Sequence, residues 1–197
     1  DLIGGRAKDF LEKNSISPAS VFFGLPREMT ILSYFELPLA VKENLSDSIG
    51  YEMEKYVPFP EDETYFDYQV IEEDNEDGKL RIFLIAAEKE SIDPCFAFAG
   101  QIGIGISGIE IGSTAMANYF WSQRDSIPAD TCAVVFFRDG HLESNLFRGG
   151  FLDYSKSVNR EKWGSDLADV ISHELQKLKE RSGNGDDRLP TVFCGLD

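Results

Sequence analysis

Tyr56-Val57-Pro58-Phe59-Pro60, continuing through Glu61-Asp62-Glu63-Thr64 into Tyr65-Phe66-Asp67-Tyr68-Gln69-Val70, marks a corner in the chain. Upstream of it Val41, Leu45, Ile49, Met53 and Tyr56 recur at intervals of three and four residues, the stripe of a helix packed on a sheet, with Lys42, Glu43, Asp47 and Glu54 on the water side. That helix is predicted to start at Pro38, which suits a first helical position. It cannot pass Pro58, which has no N–H to donate. A period of two resumes at Tyr65, so the two prolines fix a helix-to-strand corner that displays an aromatic side chain.

Working outward, Met29 to Leu37 alternates, with Leu32 and Tyr34 opposite Ile31, Ser33 and Phe35. Tyr65 to Ile71 and Leu80 to Ala86 predict a hairpin around the acidic turn Glu72 to Lys79. The order from Met29 to Ala87 is therefore strand, helix, strand, strand. Before it come a short helix with Ile3, Ala7, Phe10 and Leu11 on one face, ended by Asn14 and Pro18, and an apolar run from Ser20 to Leu25. After it, Ser91 is the expected N-cap of a helix to Ala99 stopped by Gly100. Ile104 to Ile111 reads as a strand, and Ser113 opens a helix carrying Ala115, Met116, Tyr119 and Phe120.

The polar segment from Trp121 to Asp130, with Pro128, is the expected domain boundary. Beyond it Thr131 to Phe137, Leu142 to Phe147 and Phe151 to Val158 read as strands joined at Asp139-Gly140 and Gly149-Gly150, dipeptides suited to tight hairpins. A helix from Asp166 to Arg181, capped by Ser165, is predicted to bury Leu167, Val170, Ile171, Leu175 and Leu178. Thr191 to Cys194 closes as a strand.

The chain has 197 residues, 42% of them hydrophobic, enough for one large domain or two small ones. Its net charge is −16, which repels nucleic-acid backbones and anionic headgroups, and no basic patch offsets this. The densest basic stretch, Lys177 to Arg181, is broken by Leu178 and Glu180. No apolar run reaches the ~18 residues of a membrane span, so no direct membrane insertion is expected. Cys95, Cys132 and Cys194 are far apart within apolar patterns and read as reduced, buried thiols.

Motifs of chemistry are few. Gly103-Ile104-Gly105-Ile106-Ser107-Gly108 matches a dinucleotide fingerprint, which requires a strand before the glycines and a helix beginning within them. Here a helix precedes and a strand follows, so the glycines are expected to make a close helix-to-strand connection. His141 and His173 lack ligand spacing, and no metal is expected. No nucleophile elbow accompanies the serines. Glu61, Asp62, Glu63 and Asp67 form a negative rim.

The stretch EKYVPFPEDETYFDYQV resembles the corresponding part of the PilM family of type IV pilus proteins and of the cytoplasmic part of the GspL family of type II secretion platforms. The resemblance implies an α/β, actin-like (ribonuclease-H-like) fold. Residues 1–28 and 91–128 would form an N-terminally truncated first subdomain, 29–90 an inserted strand-helix-strand-strand module, and 129–197 the second subdomain. It implies a cytoplasmic scaffold at the inner face of the bacterial inner membrane that takes a segment of a membrane-anchored partner in a groove beside Tyr56, Val57, Pro58, Phe59 and Pro60. It would link that partner to the motor ATPase without chemistry of its own. Actin-like relatives hold ATP and Mg²⁺ between two phosphate hairpins. The Asp-x-Gly of the second falls here on Phe136, Phe137 and Arg138, so neither nucleotide nor cofactor is expected. Asp139, Gly140 and the reduced adenosine turn at Gly195 would serve only if nucleotide binds. The alternative is an active actin-like ATPase or sugar-kinase-type enzyme with its first phosphate loop before Asp1.

Overall fold

The computed structural model describes residues 2–123, 130–138, 140–162, 166–183 and 189–195. The chain divides into two compact units, Asp1–Glu110 and Ile111–Asp197. The boundary expected at Trp121 to Asp130 falls largely on residues 124–129, outside the described set.

The first unit runs α1 (Leu2–Lys13), β1 (Phe22–Leu25), β2 (Ile31–Pro38), α2 (Leu45–Met53), β3 (Thr64–Asp74), β4 (Lys79–Glu88), α3 (Lys89–Ile102) and β5 (Gly108–Ile111), whose last residue falls in the second unit. β2, β4 and β3 form an antiparallel sheet in that order, and β1 pairs with β5. Register places Phe35 opposite Ile82 and Leu37 opposite Leu80, so both pairs share the face that α2 covers with Leu45, Ile49 and Met53. Each such fully buried side chain contributes about 1.5–3 kcal/mol, which is why the helix stripe and the strand alternation had to meet. On the opposite face Tyr34 stacks on Phe83 across the same two strands (5.1 Å between centroids).

Several boundaries differ from expectation. Pro38 ends β2 in an extended conformation (φ −60°, ψ 139°), and Leu39–Asn44 forms 3-10 turns before the α-helix begins at Leu45. Leu39 N–H is taken by Gly78 O (2.7 Å), which ties this turn to the hairpin and keeps Pro38 out of the helix. The third helix starts at Lys89 directly from β4, not at Ser91, since Glu88 is already in a capping conformation. It runs past Gly100 to Gly103 (φ 73°), where Gly103 N–H bonds Gly100 O and Ile104 N–H bonds Ala99 O, a Schellman ending. β5 is accordingly shorter than the apolar run Ile104 to Ile111, and β1 is shorter than Ser20 to Leu25. α1 buries Gly4 rather than Ile3 and Phe10, which are exposed, because a bare backbone at Gly4 lets Gln101 of α3 approach.

The second unit contains α4 (Gly112–Ser122), β6 (Thr131–Arg138), β7 (His141–Arg148), β8 (Phe151–Asn159), α5 (Leu167–Ser182) and β9 (Thr191–Cys194). The sheet order is β8-β7-β6-β9, with two antiparallel hairpins and β9 parallel to β6. Gly149 (φ 57°) and Gly150 (φ 83°) make the predicted tight turn. α5 packs Leu178 against Ala133 and Leu146, with Leu175 beside them. The expected cap Ser165 lies outside the described residues. Asp166 precedes the helix in extended conformation, and its carbonyl accepts from Val170 N–H.

Candidate functional site

The corner begins where α2 runs out. Tyr56 N–H and Val57 N–H both reach Met53 O (2.9 Å each), so the last turn tightens and swings Val57 into the core, where it is buried. Tyr56 is 39% exposed and lays its ring parallel to Phe35 of β2 (4.8 Å, 7°), leaving one face to solvent. Pro58 and Pro60 are exposed, and Phe59 is half-buried against the α2 core. The five residues thus divide. Val57 and much of Phe59 hold the module together, while Tyr56 and the two prolines form the outward surface.

The path into β3 is locked by local bonds. Pro60 O accepts from Thr64 Oγ1 (2.8 Å) and Glu63 N–H (3.0 Å), closing a 3-10 turn over Glu61–Glu63. Lys89 at the start of α3 donates to Asp62 O (2.8 Å) and sits 5.3 Å over the ring of Tyr65. Tyr65 donates its hydroxyl to Asp93 (3.1 Å) and meets the exposed ring of Phe96 edge-on. That hydrogen bond raises the Tyr65 pKa. Lys89, Asp93 and Phe96 carry no signal in the sequence, because Asp93 stands 28 residues beyond the Tyr65 it meets.

The candidate nucleotide residues lie in the second unit. Gly140 (φ 77°) turns β6 into β7, and its carbonyl accepts from Arg160 N–H (2.6 Å), while Asp139 lies outside the described residues. Gly195 (φ 74°) follows β9, and a β-carbon there would collide with the Phe137 carbonyl oxygen. Gly195 is therefore accounted for by close strand packing. The end of β6 between these glycines carries Phe136, Phe137 and Arg138. The Gly103–Gly108 stretch ends α3 and leads into β5, the reverse of the order a dinucleotide fingerprint needs. There Ser107 N–H bonds Val21 O (2.7 Å), and Gly108 presses on the Phe22 ring. An open groove of about 510 Å³ lies between α1 and this loop, away from the corner.

Two polar clusters of the second unit escaped the sequence. Glu174 on α5 is only 3% exposed and takes Lys156 and Lys177 (3.1 Å each) and Ser144 Oγ (3.3 Å). Burial pushes its pKa up, but hydrogen bonds and charge from the two lysines outweigh this and hold the carboxyl below its ordinary value. Ser113 at the start of α4 donates to Glu143 (2.7 Å), which also accepts from the fully buried Asn145 (3.0 Å). Among the described residues no group of acidic, histidine and cysteine side chains is arranged to hold a metal ion, and no helix is long and apolar enough to cross a membrane.

A family model described as type IV pilus assembly protein PilM matches residues 7–137, which include the corner and the whole β2-α2-β3-β4 module. The chain belongs to the PilM family. A search of curated proteins found no match. In fold this PilM-family chain is similar to a chain of a PilM–PilN type IV pilus biogenesis complex (TM-score 0.66, 16% identity, 92% of this chain and 61% of that one). It is also similar to the cytoplasmic domain of EpsL, an inner-membrane component of the type II secretion system of Vibrio cholerae (0.59, 13%, 98% and 68%). A third likeness is to a Bacteroides thetaiotaomicron protein of actin-like ATPase fold (0.54, 13%, 98% and 68%). The fold is thus the actin-like α/β architecture that the resemblance implied, and the chain spans about 61% of the length of the matched chain of the PilM–PilN complex.

Proposed function

We propose that this PilM-family protein is a scaffold of an inner-membrane pilus or secretion platform, held at the cytoplasmic face by a membrane-anchored partner and passing that attachment to a motor ATPase. The observation that carries the proposal is the corner. Tyr56 presents an aromatic face already fixed by stacking on Phe35, and prolines on either side of Phe59 hold the backbone, so a peptide docking there orders little of the protein. Exposed, rigid aromatic area flanked by the Glu61–Glu63 carboxylates suits a short segment with an apolar stretch and a basic end. The likeness to a PilM–PilN complex supports a partner of this kind. The proposal includes the absence of chemistry: Phe136, Phe137 and Arg138 offer no metal ligand and no bare backbone where a phosphate would lie.

The test measures binding of the cytoplasmic segment of a membrane-anchored pilus or secretion protein. Tyr56→Ala is expected to weaken binding at least tenfold (~1.4 kcal/mol), with its melting temperature showing a folded protein. Phe59→Ala is measured beside it because it also opens the core. Folded variants that both stay within about threefold of the parent (~0.65 kcal/mol) would make these residues structural only.

A further inference from the structure

β3 is eleven residues long and lies at the edge of its sheet, pairing with β4 alone among the described strands. At about 3.4 Å per residue it offers some 37 Å of open edge. The strand contains Asp67, Glu72, Glu73 and Asp74 and no lysine or arginine, and Glu61–Glu63 precede it, so the edge stays net negative although Lys42 pairs with Glu73, Arg81 lies 3.9 Å from Glu72 and Asp74 accepts from the turn amides of Glu76 and Asp77. Between the acids Tyr65 and Val70 are exposed. Tyr68 N–H is already taken by Asp67 Oδ1 (2.8 Å), so an added strand would draw on the other main-chain groups of this edge. The opposite edge is shorter and less acidic: β2 has eight residues with Glu36 as its single acid, and Pro38 closes it.

We propose that the outer edge of β3 is a docking site for an extended, basic segment of a partner protein, which joins the sheet as a fourth strand. Main-chain hydrogen bonds supply the attachment and the row of carboxylates supplies the choice of partner. A second copy of this chain is disfavoured as the occupant, because edge-to-edge pairing would set two acidic rows against each other. The irregularity between Val70 and Glu72 fixes the arrangement: the incoming strand pairs along residues 64–70 and its basic residues beyond that reach Glu72 to Asp74. This edge is a separate surface from the outward face of Tyr56, and the proposal does not depend on that face being occupied.

A fluorescein-labelled nine-residue peptide of alternating lysine and valine, added to the full chain, provides the probe. Binding is expected to strengthen as salt falls, with amide shifts in nitrogen–proton spectra concentrated on residues 64–74. The same peptide N-methylated at alternate residues keeps its charge but loses strand donors, and is expected to bind at least tenfold more weakly. The variant Glu72→Gln, Glu73→Gln, Asp74→Asn, which keeps an amide oxygen to accept from the turn N–H groups of Glu76 and Asp77 and loses only exposed ion pairs, is expected to bind at least fivefold more weakly while thermal melting shows it folded. Equal binding by the N-methylated peptide, equal binding by the triple variant, shifts centred elsewhere, or no binding at low salt would each overturn the proposal.

Discussion

Glu174 shows how one residue can be placed by partners that the sequence keeps apart. On a helix its neighbours predict a solvated position, and Lys177, three residues on, reads as an ordinary surface pair. Lys156 arrives from β8, eighteen residues upstream, and only the folded sheet brings both lysines onto one buried carboxylate. The pH consequence has a definite sign. The folded pKa of Glu174 lies below the ordinary value of 4.5, so the stabilisation is complete above that value and is lost as pH falls through the folded pKa. Glu174→Gln is expected to cost about 1–3 kcal/mol at neutral pH, less than a fully buried pair because both lysines reach water, and to flatten the acid limb of stability. Urea unfolding of parent and variant from pH 7 to pH 3 checks both. A variant curve parallel to the parent's would show that this carboxylate does not govern the acid limb.

At the scale of elements, the module of β2, α2, β3 and β4 was the most legible part, since helix stripe and strand alternation each name a face and only one packing buries both. Val57 was less legible: it stands beside a proline, outside either period, yet it is core because the last turn of α2 tightens. The start of α2 was misplaced because the Gly78 carbonyl takes the Leu39 N–H, and that of α3 because β4 runs directly into it at Glu88. The shared core predicts cooperative behaviour. The amides of Ile49, Met53, Ile82 and Leu84 should exchange with one common opening free energy, measured by native-state hydrogen exchange in rising denaturant. Unrelated slopes and energies among them would mean that the sheet and α2 are not one cooperative layer.

For the whole molecule, the sequence revealed the actin-like order of elements, while the surroundings of the candidate corner, from Phe35 to Lys89, depended on strand pairing that spacing does not encode. An actin-like phosphate site would be assembled from hairpins that lie far apart in the chain. Titration calorimetry with ATP and Mg²⁺ is expected to give no dissociation constant below about 100 μM, which is ~5.5 kcal/mol of binding. Tighter binding would favour the ATPase or kinase reading and would mean that the end of β6 reorganises around its phenylalanines.

Cys132 is 7% exposed in β6, and burial raises its thiol pKa, so it meets an alkylating reagent only when the second sheet opens. Cys95 sits half-exposed on α3 of the other unit. The chain therefore carries chemical clocks of two kinds, Cys95 and the half-exposed Cys194 running at the surface and Cys132 stopped until its strand is released. Labelling followed by mass spectrometry during slow heating will time the opening of the second unit without any inserted reporter. Comparison with the melting of the first unit then tells whether the two come apart in one event or two.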